Sequence, residues 1–291
     1  MSIDNANFEE AMGILSIQSH VVYGYVGNKA ALYPLQSMGY DVWPVNTVQF
    51  SNHTGYKKWR GDIFSREHIR NIIKGIEELG ILSKCRAILS GYMGSDEICH
   101  EVIDTVHRFK CNNSSLLYLC DPVIGSPNCY VEPEVLNFFK TNLVADIITP
   151  NQFEAEILSG IKIRDTKTLI LTSQYFHNIG IKVVVITGLK LPDISDTDLH
   201  VFASDGEDSY IIKTKDYNFP IVVHGTGDLF SAIYLGSYIL TKSIIKSLQI
   251  SVYYTDKALC HTLEARTREL QVTEVDYRIA NITTLPRFTK I

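Results

Sequence analysis

A chain of 291 residues, 45% hydrophobic and 20% charged, is long enough for one large α/β domain or two modest ones and has the composition of a soluble protein. Its 27 Lys and Arg against 32 Asp and Glu give a formal net charge of -5, which excludes the general basic field that nucleic-acid binding needs. No apolar run reaches membrane-spanning length and the start, Met1-Ser2-Ile3-Asp4-Asn5, is acidic, so neither a membrane nor export is expected and a cytoplasmic location is.

In chain order, apolar runs at 14–17, 42–48, 87–90, 116–120, 147–149 and 183–187 have strand length, and most lead into helix-compatible sequence. This alternation predicts an α/β fold, a mostly parallel central sheet flanked by helices on both faces. Residues 199–203 and 209–214 flank Gly206 and read as a hairpin late in the sheet, and 229–240 and 244–263 read as two closing helices. Without repeats, low-complexity tracts or long linkers, the chain reads as one domain over 12–291 behind a flexible start over 1–11. The six cysteines, Cys85, Cys99, Cys111, Cys120, Cys129 and Cys260, have no C-x-x-C or zinc spacing and read as reduced thiols, several of them buried.

Ligands of such sheets gather at the carboxyl ends of the strands. Ser19 and His20 follow the first run, Asn52-His53-Thr54-Gly55 the second, Gly91-Tyr92 the third and Asp121-Pro122 the fourth. Thr149-Pro150-Asn151 with Glu154 follow the fifth, and Thr187-Gly188 the sixth. Six polar strand ends on one edge point to a site. Gly24-x-x-Gly27-Asn28-Lys29 lacks both the dinucleotide fingerprint and the Walker ending, and reads as a glycine-eased start to the first helix, with Lys29 solvated.

The last element is Val222-Val223-His224-Gly225-Thr226-Gly227-Asp228-Leu229-Phe230-Ser231-Ala232, where an apolar run breaks into Gly-x-Gly-Asp and resumes with helical spacing. It can be a tight turn with Asp228 as a stabilising first-turn acid. It can equally be an anion-binding helix start, in which the amides of Gly225, Thr226 and Gly227 hold a migrating phosphoryl group and Asp228 takes the proton of an attacking hydroxyl. Asp121 and Glu154, with Thr149 and Asn151 nearby, suit a hydrated Mg²⁺; Glu154 can also be a first-turn helix acid with Asn151 as its cap.

Taken together, these residues resemble the pyridoxal kinases of the ribokinase superfamily. The resemblance is carried by Ser16-Ile17-Gln18-Ser19-His20-Val21-Val22-Tyr23-Gly24, by Asn46-Thr47-Val48-Gln49-Phe50-Ser51-Asn52-His53-Thr54-Gly55-Tyr56, and by Ser90-Gly91-Tyr92. Cys120-Asp121-Pro122-Val123-Ile124-Gly125, Thr149-Pro150-Asn151 to Glu154, and Gly225-Thr226-Gly227-Asp228 complete it in family order. It implies a ribokinase-like fold and ATP-dependent phosphorylation of the 5′-hydroxyl of pyridoxal, and of pyridoxine and pyridoxamine. Ser19 would bond the pyridine ring, Thr54 and Gly55 line its pocket, Val21 and Tyr92 wall it, and Asp228 be the base facing the hydroxyl. For ATP it implies Asp121, Asn151, Glu154, Thr187, the stretch Lys213, Thr214, Lys215 and Asp216, and Thr226 with Gly227. Asp121, Thr149 and Glu154 would hold Mg²⁺ or another divalent cation, and Thr187 lies where a monovalent cation, K⁺ or Na⁺, would sit. A lid from about Gly125 to Val131 and a homodimer are implied as well. The chain departs from the family at Ser126, where many members have an acidic residue, and at Thr187, where bacterial relatives can have Lys. A hydroxymethylpyrimidine-type kinase and a non-catalytic vitamer-binding protein are the alternatives.

Overall fold

The computed structural model describes residues 12–195 and 197–291; the start over 1–11 lies outside the described residues. A ten-stranded sheet runs through them in the order β10-β9-β8-β7-β6-β5-β4-β1-β2-β3. Its centre is parallel: β1 (Gly13–Tyr23), β2 (Asp41–Asn52), β4 (Cys85–Ser90), β5 (Leu117–Cys120), β6 (Ile147–Ile148) and β7 (Val183–Lys190). The hairpin of β8 (Leu199–Ser204) and β9 (Ser209–Thr214) extends it antiparallel, as the sequence predicts. Two short antiparallel edges, β3 (Gly61–Ile63) and β10 (Thr289–Lys290), are additions that no apolar pattern announces, because all their residues are exposed.

Alternate residues of the central strands point into two cores. Leu15, Ile17, Ile88, Val184 and Ile186 pack under α2 (Arg66–Glu78), α3 (Asp96–Asn112), α4 (Pro133–Asn142), α5 (Gln152–Ser159) and α6 (Thr166–Asn178). Ile14, Ala87, Leu89, Val183 and Val185 pack on the other face under α1 (Asn28–Ser37), α7 (Thr226–Thr241) and α8 (Ile244–Glu264). Burial on both faces explains why these strands read as unbroken apolar runs, and each buried Val, Leu or Ile side chain among them contributes roughly 1.5–3 kcal/mol.

One boundary matters for function. β1 continues to Tyr23, so Ser19 and His20 lie inside the strand and do not follow it. Its pairing with β4 stops at Ile17 and Ser90, while pairing with β2 continues through a register shift between Gln18 and His20. From Ser19 onward, β1 and β2 thus overhang the parallel strands from β4 to β7. Asn28 fixes the base of this overhang: fully buried, it accepts from Ser16 Oγ at 2.7 Å and donates to Val45 O at 3.1 Å and Asn46 Oδ1 at 2.9 Å. Lys29 is not simply solvated, since its Nζ turns back to donate to Val22 O on that overhang and stands 5.4 Å from the Tyr25 ring centroid.

Candidate active site

Backbone hydrogen bonds carry the ladder past the strand ends and align the predicted edge. Gly91 N–H donates to Ile17 O at 3.2 Å, Asp121 N–H to Ser90 O at 2.9 Å, Thr149 N–H to Cys120 O at 3.2 Å and Thr187 N–H to Pro150 O at 3.0 Å. Asp121 and Thr149 are fixed as they leave their strands, whereas Thr187 and Gly188 lie inside β7 rather than after it, Thr187 bridging to Asn151; together with Tyr92 these residues line one rim.

α7 starts at this rim. Gly225 precedes it at φ 89° and ψ −2°, with no side-chain cap. The first N–H bonded back to Gly225 O is that of Leu229. The amides of Thr226, Gly227 and Asp228 are thus the unpaired donors at the positive end of a 16-residue helix. A Cβ at Gly225 would stand 1.8 Å from Tyr25 O, so only glycine permits this approach. A Cβ at Gly27 would meet Ser19 Oγ at 2.4 Å. The Gly27 backbone N–H also draws the Asp228 carboxyl toward its charged form. Gly27 is therefore the spacer between Ser19 and Asp228. Burial raises the Asp228 carboxyl above its usual range, and the Gly27 N–H pulls it the other way.

Two further carboxyls share the floor. Asp121, 4% exposed, accepts from Ser231 Oγ on Oδ2 at 2.9 Å, and Ser231 Oγ lies 2.8 Å from Thr149 Oγ1. Burial first, then the nearby Glu154 and Asp228, hold the Asp121 carboxyl well above the usual range. Glu154 is raised by burial as well, against three backbone donors. Those donors show the helix-cap geometry: Asn151 Oδ1 accepts from Glu154 N–H at 3.0 Å, and Glu154 Oε2 from Asn151 N–H at 2.9 Å. Glu154 Oε1 accepts from Ile124 N–H at 2.9 Å and Gly125 N–H at 3.2 Å, tying the segment after Asp121 to α5.

Among the described residues, no three His, Cys, Asp or Glu side chains group into a metal cage. The donor set instead fits a Mg²⁺ that takes one or two carboxylates and fills its shell with water and phosphate oxygens. Two buried carboxyls, Asp121 and Glu154, with the half-buried Asp228 beside them and no cationic side chain among the causes of their shifts, are the observation that favours a cation here.

On the expected substrate side, Val21, 1% exposed, packs with Val48 and Phe50 and with the half-buried Val26 and Tyr92. Ser19 is buried at the start of the overhang, whereas Thr54 and Gly55 are exposed on the loop after β2. His224 comes from the other side: its Nε2 stands 2.3 Å from where a Gly55 Cβ would be. On the expected nucleotide side, Asn151 and Thr187 pair in a parallel bridge, and Asn151 Nδ2 donates to Gly125 O at 3.0 Å. Lys213 pairs with Asp198 at 2.6 Å, Lys215 Nζ lies 6.0 Å from the Tyr217 ring centroid, and Asp216 accepts from Asn218 N–H at 3.1 Å beside Thr214. These three side chains are engaged within their own neighbourhood, so this stretch brings no lysine to the carboxyl cluster.

Three residues join the site that sequence reasoning did not name. Ser231 follows Asp228 by one helical turn, a spacing that signals a shared face. Tyr130 lies in the segment from Gly125 to Val131 where a lid is expected; 56% of the residue is exposed, yet burial of its hydroxyl and the carboxyls of Glu154, Asp228 and Asp121 raise it. His224 carried no local signal beyond standing before Gly225.

A profile of the family described as Phosphomethylpyrimidine kinase matches residues 63–273. A Pyridoxal kinase PdxY of Corynebacterium diphtheriae is 37% identical over 274 residues, covering 93% of this chain and 96% of that protein. A Pyridoxal kinase PdxY of Vibrio vulnificus is 41% identical over 227 residues, covering 76% and 78%. The pyridoxal kinase of Leishmania donovani in complex with ADP and pyridoxine superposes with a TM-score of 0.88 at 30% identity, covering 97% of this chain and 100% of that one.

Proposed function

This chain belongs to the pyridoxal kinase family, and from that premise we propose that it transfers the γ-phosphate of ATP to the 5′-hydroxyl of pyridoxal, pyridoxine and pyridoxamine. The observation that carries the mechanism is the juxtaposition at Gly27, whose missing Cβ leaves room for Ser19 Oγ and whose N–H favours the charged form of the Asp228 carboxyl. A vitamer whose ring is bonded by Ser19, with Tyr92 and the cluster around Val21 as its apolar wall and Thr54 and Gly55 at its edge, presents its hydroxymethyl group toward Asp228. Asp228 accepts the hydroxyl proton as the oxygen bonds to phosphorus and the bond to the β–γ bridging oxygen breaks, leaving ADP. The amides of Thr226 and Gly227, unpaired at the start of α7, together with that of Gly225 before it, stabilise the charge that spreads over the transferred phosphoryl group.

Asp121 would hold the divalent cation, with Thr149 behind it through Ser231 and Glu154 contributing through its remaining lone pairs; the cation supplies charge neutralisation on the phosphates. Asn151, Thr187 and the stretch from 213 to 216 would flank the nucleotide. A monovalent cation beside Thr187, a homodimer, a cytoplasmic location and a single domain over 12–291 complete the proposal and rest on the family resemblance. No described helix is long and apolar enough to cross a membrane.

The test is ATP-dependent conversion of pyridoxal followed by absorbance. Tight vitamer binding without turnover would make the protein a carrier. The description of the matching family favours one second reading, a kinase for hydroxymethylpyrimidine; turnover of that alcohol in preference to pyridoxal would establish it.

A further inference from the structure

The segment after α8 returns to the loop that follows β2, and the reaction proposed above makes no use of it. Glu269 in this segment is 7% exposed. Its Oε1 accepts from the Tyr56 hydroxyl at 2.5 Å and lies 3.3 Å from His53 Nε2. Its Oε2 stands 2.2 Å from where a Gly24 Cβ would be, so the glycine at φ +93° makes room for the carboxylate. The neighbouring Arg268 lays its guanidinium 3.9 Å from the Tyr56 ring centroid and donates to Gly55 O at 2.5 Å. His53 in turn lies against His224, ring centroids 4.4 Å apart, and His224 leads directly into Gly225.

A nearly buried carboxylate is costly unless donors converge on it. Here the donors come from one loop, His53 to Tyr56, which is otherwise exposed at Thr54 and Gly55. Through Gly24 and His53 the same carboxylate reaches the turn before Gly27 and the residue before the phosphoryl-binding glycines. Two of the loops that must agree on the place of the acceptor hydroxyl thus meet at Glu269, and the third, at His224, lies against it through the His53 ring.

We propose that Glu269, assisted by Arg268, is a positioning residue for the acceptor: it clamps the His53–Tyr56 loop against Gly24 and His224 and so sets Thr54 and Gly55 at the vitamer edge. The inference rests on the pyridoxal kinase reading above. It touches neither reacting atoms nor nucleotide, so its loss weakens use of the vitamer and spares ATP.

Steady-state kinetics on the full chain with pyridoxal and MgATP test it. Wild-type turnover tests the kinase reading by itself. In Glu269→Ala, the KM for pyridoxal rises about tenfold or more while the KM for ATP stays within about twofold. Glu269→Gln returns the pyridoxal KM to within about threefold of wild type, because its amide oxygen can accept from Tyr56. Should Glu269→Ala fail to fold, Tyr56→Phe, which keeps the ring under Arg268 and removes only the hydroxyl, shows the same selective rise. An active wild type whose folded variants leave the pyridoxal KM unchanged, or raise both KM values alike, overturns the inference, as does a Gln variant no better than Ala.

Discussion

Ser231 Oγ donates to Asp121 Oδ2 at 2.9 Å, joining the second turn of α7 to the end of β5 beneath the Gly-x-Gly-Asp turn. Thr149 Oγ1, 2.8 Å from the same Ser231 oxygen, extends the chain to the end of β6. When Asp121 is ionised, the order of donation is fixed: Thr149 to Ser231 to Asp121. Ser231→Ala removes the side-chain donor from a buried carboxylate, which costs about 1–3 kcal/mol. We expect a lower thermal midpoint together with a higher Mg²⁺ requirement, measured by activity against Mg²⁺ concentration. An unchanged Mg²⁺ dependence would separate Ser231 from the metal site.

The carboxyl cluster makes stability depend on pH and metal. Asp121, Glu154 and Asp228 are all raised above their usual values. A carboxyl whose folded pKa exceeds its unfolded value binds more protons when folded, so stability falls as pH rises from about 4 through the raised values. A divalent cation that binds the ionised cluster offsets this loss. Thermal melts should therefore show a larger upward shift with Mg²⁺ at pH 8 than at pH 5. Asp121→Asn should melt higher than wild type without metal, lose most of the Mg²⁺ shift and lose activity. A lower midpoint with the Mg²⁺ shift intact would contradict the assignment.

Gly225→Ala tests the approach of the α7 start to the β1–α1 turn. The new Cβ would meet Tyr25 O at 1.8 Å in a residue held at φ 89°, so the helix start must move. Displacing the amides and Asp228 by an ångström costs roughly 100-fold in kcat. Circular dichroism that stays native with kcat down by that order is the expected pair of results.

Ser19→Ala should raise the KM for pyridoxal and leave that for ATP in place, measured by varying each substrate at saturation of the other. A change confined to ATP would reverse the assignment of the two halves of the cleft.

Much of the architecture was legible because the central strands are buried on both faces: residues 14–17, 87–90 and 183–187 announced themselves as apolar runs, and the late hairpin around Gly206 as well. β3 and β10 were not, since short exposed edges have no inward face to pattern. The extension of β1 past Ser19 was hidden by the polar residues that make it useful, Ser19 and His20, which resemble a loop start. Asp121 and Thr149 are legible from strand-end position and the Gly225–Asp228 turn from its Gly-x-Gly-Asp pattern; the structure brings these segments together, with Asp121 Oδ2 3.7 Å from where a Gly227 Cβ would be. Glu154 showed both of its faces in the sequence, and the capping box with Asn151 is the one its hydrogen bonds display. His224, Tyr130 and Glu269 were out of reach because their roles depend on contacts between segments far apart in the chain, such as the 213 residues separating Tyr56 from Glu269.

The central claim is that Asp228 takes the proton of the acceptor hydroxyl, and Asp228→Asn measures it most directly. Asparagine keeps the shape but is too weak a base for the task. The account predicts a kcat for pyridoxal lower by about two orders of magnitude or more, with the Kd of a non-hydrolysable ATP analogue unchanged. Turnover within a few-fold of wild type would contradict it.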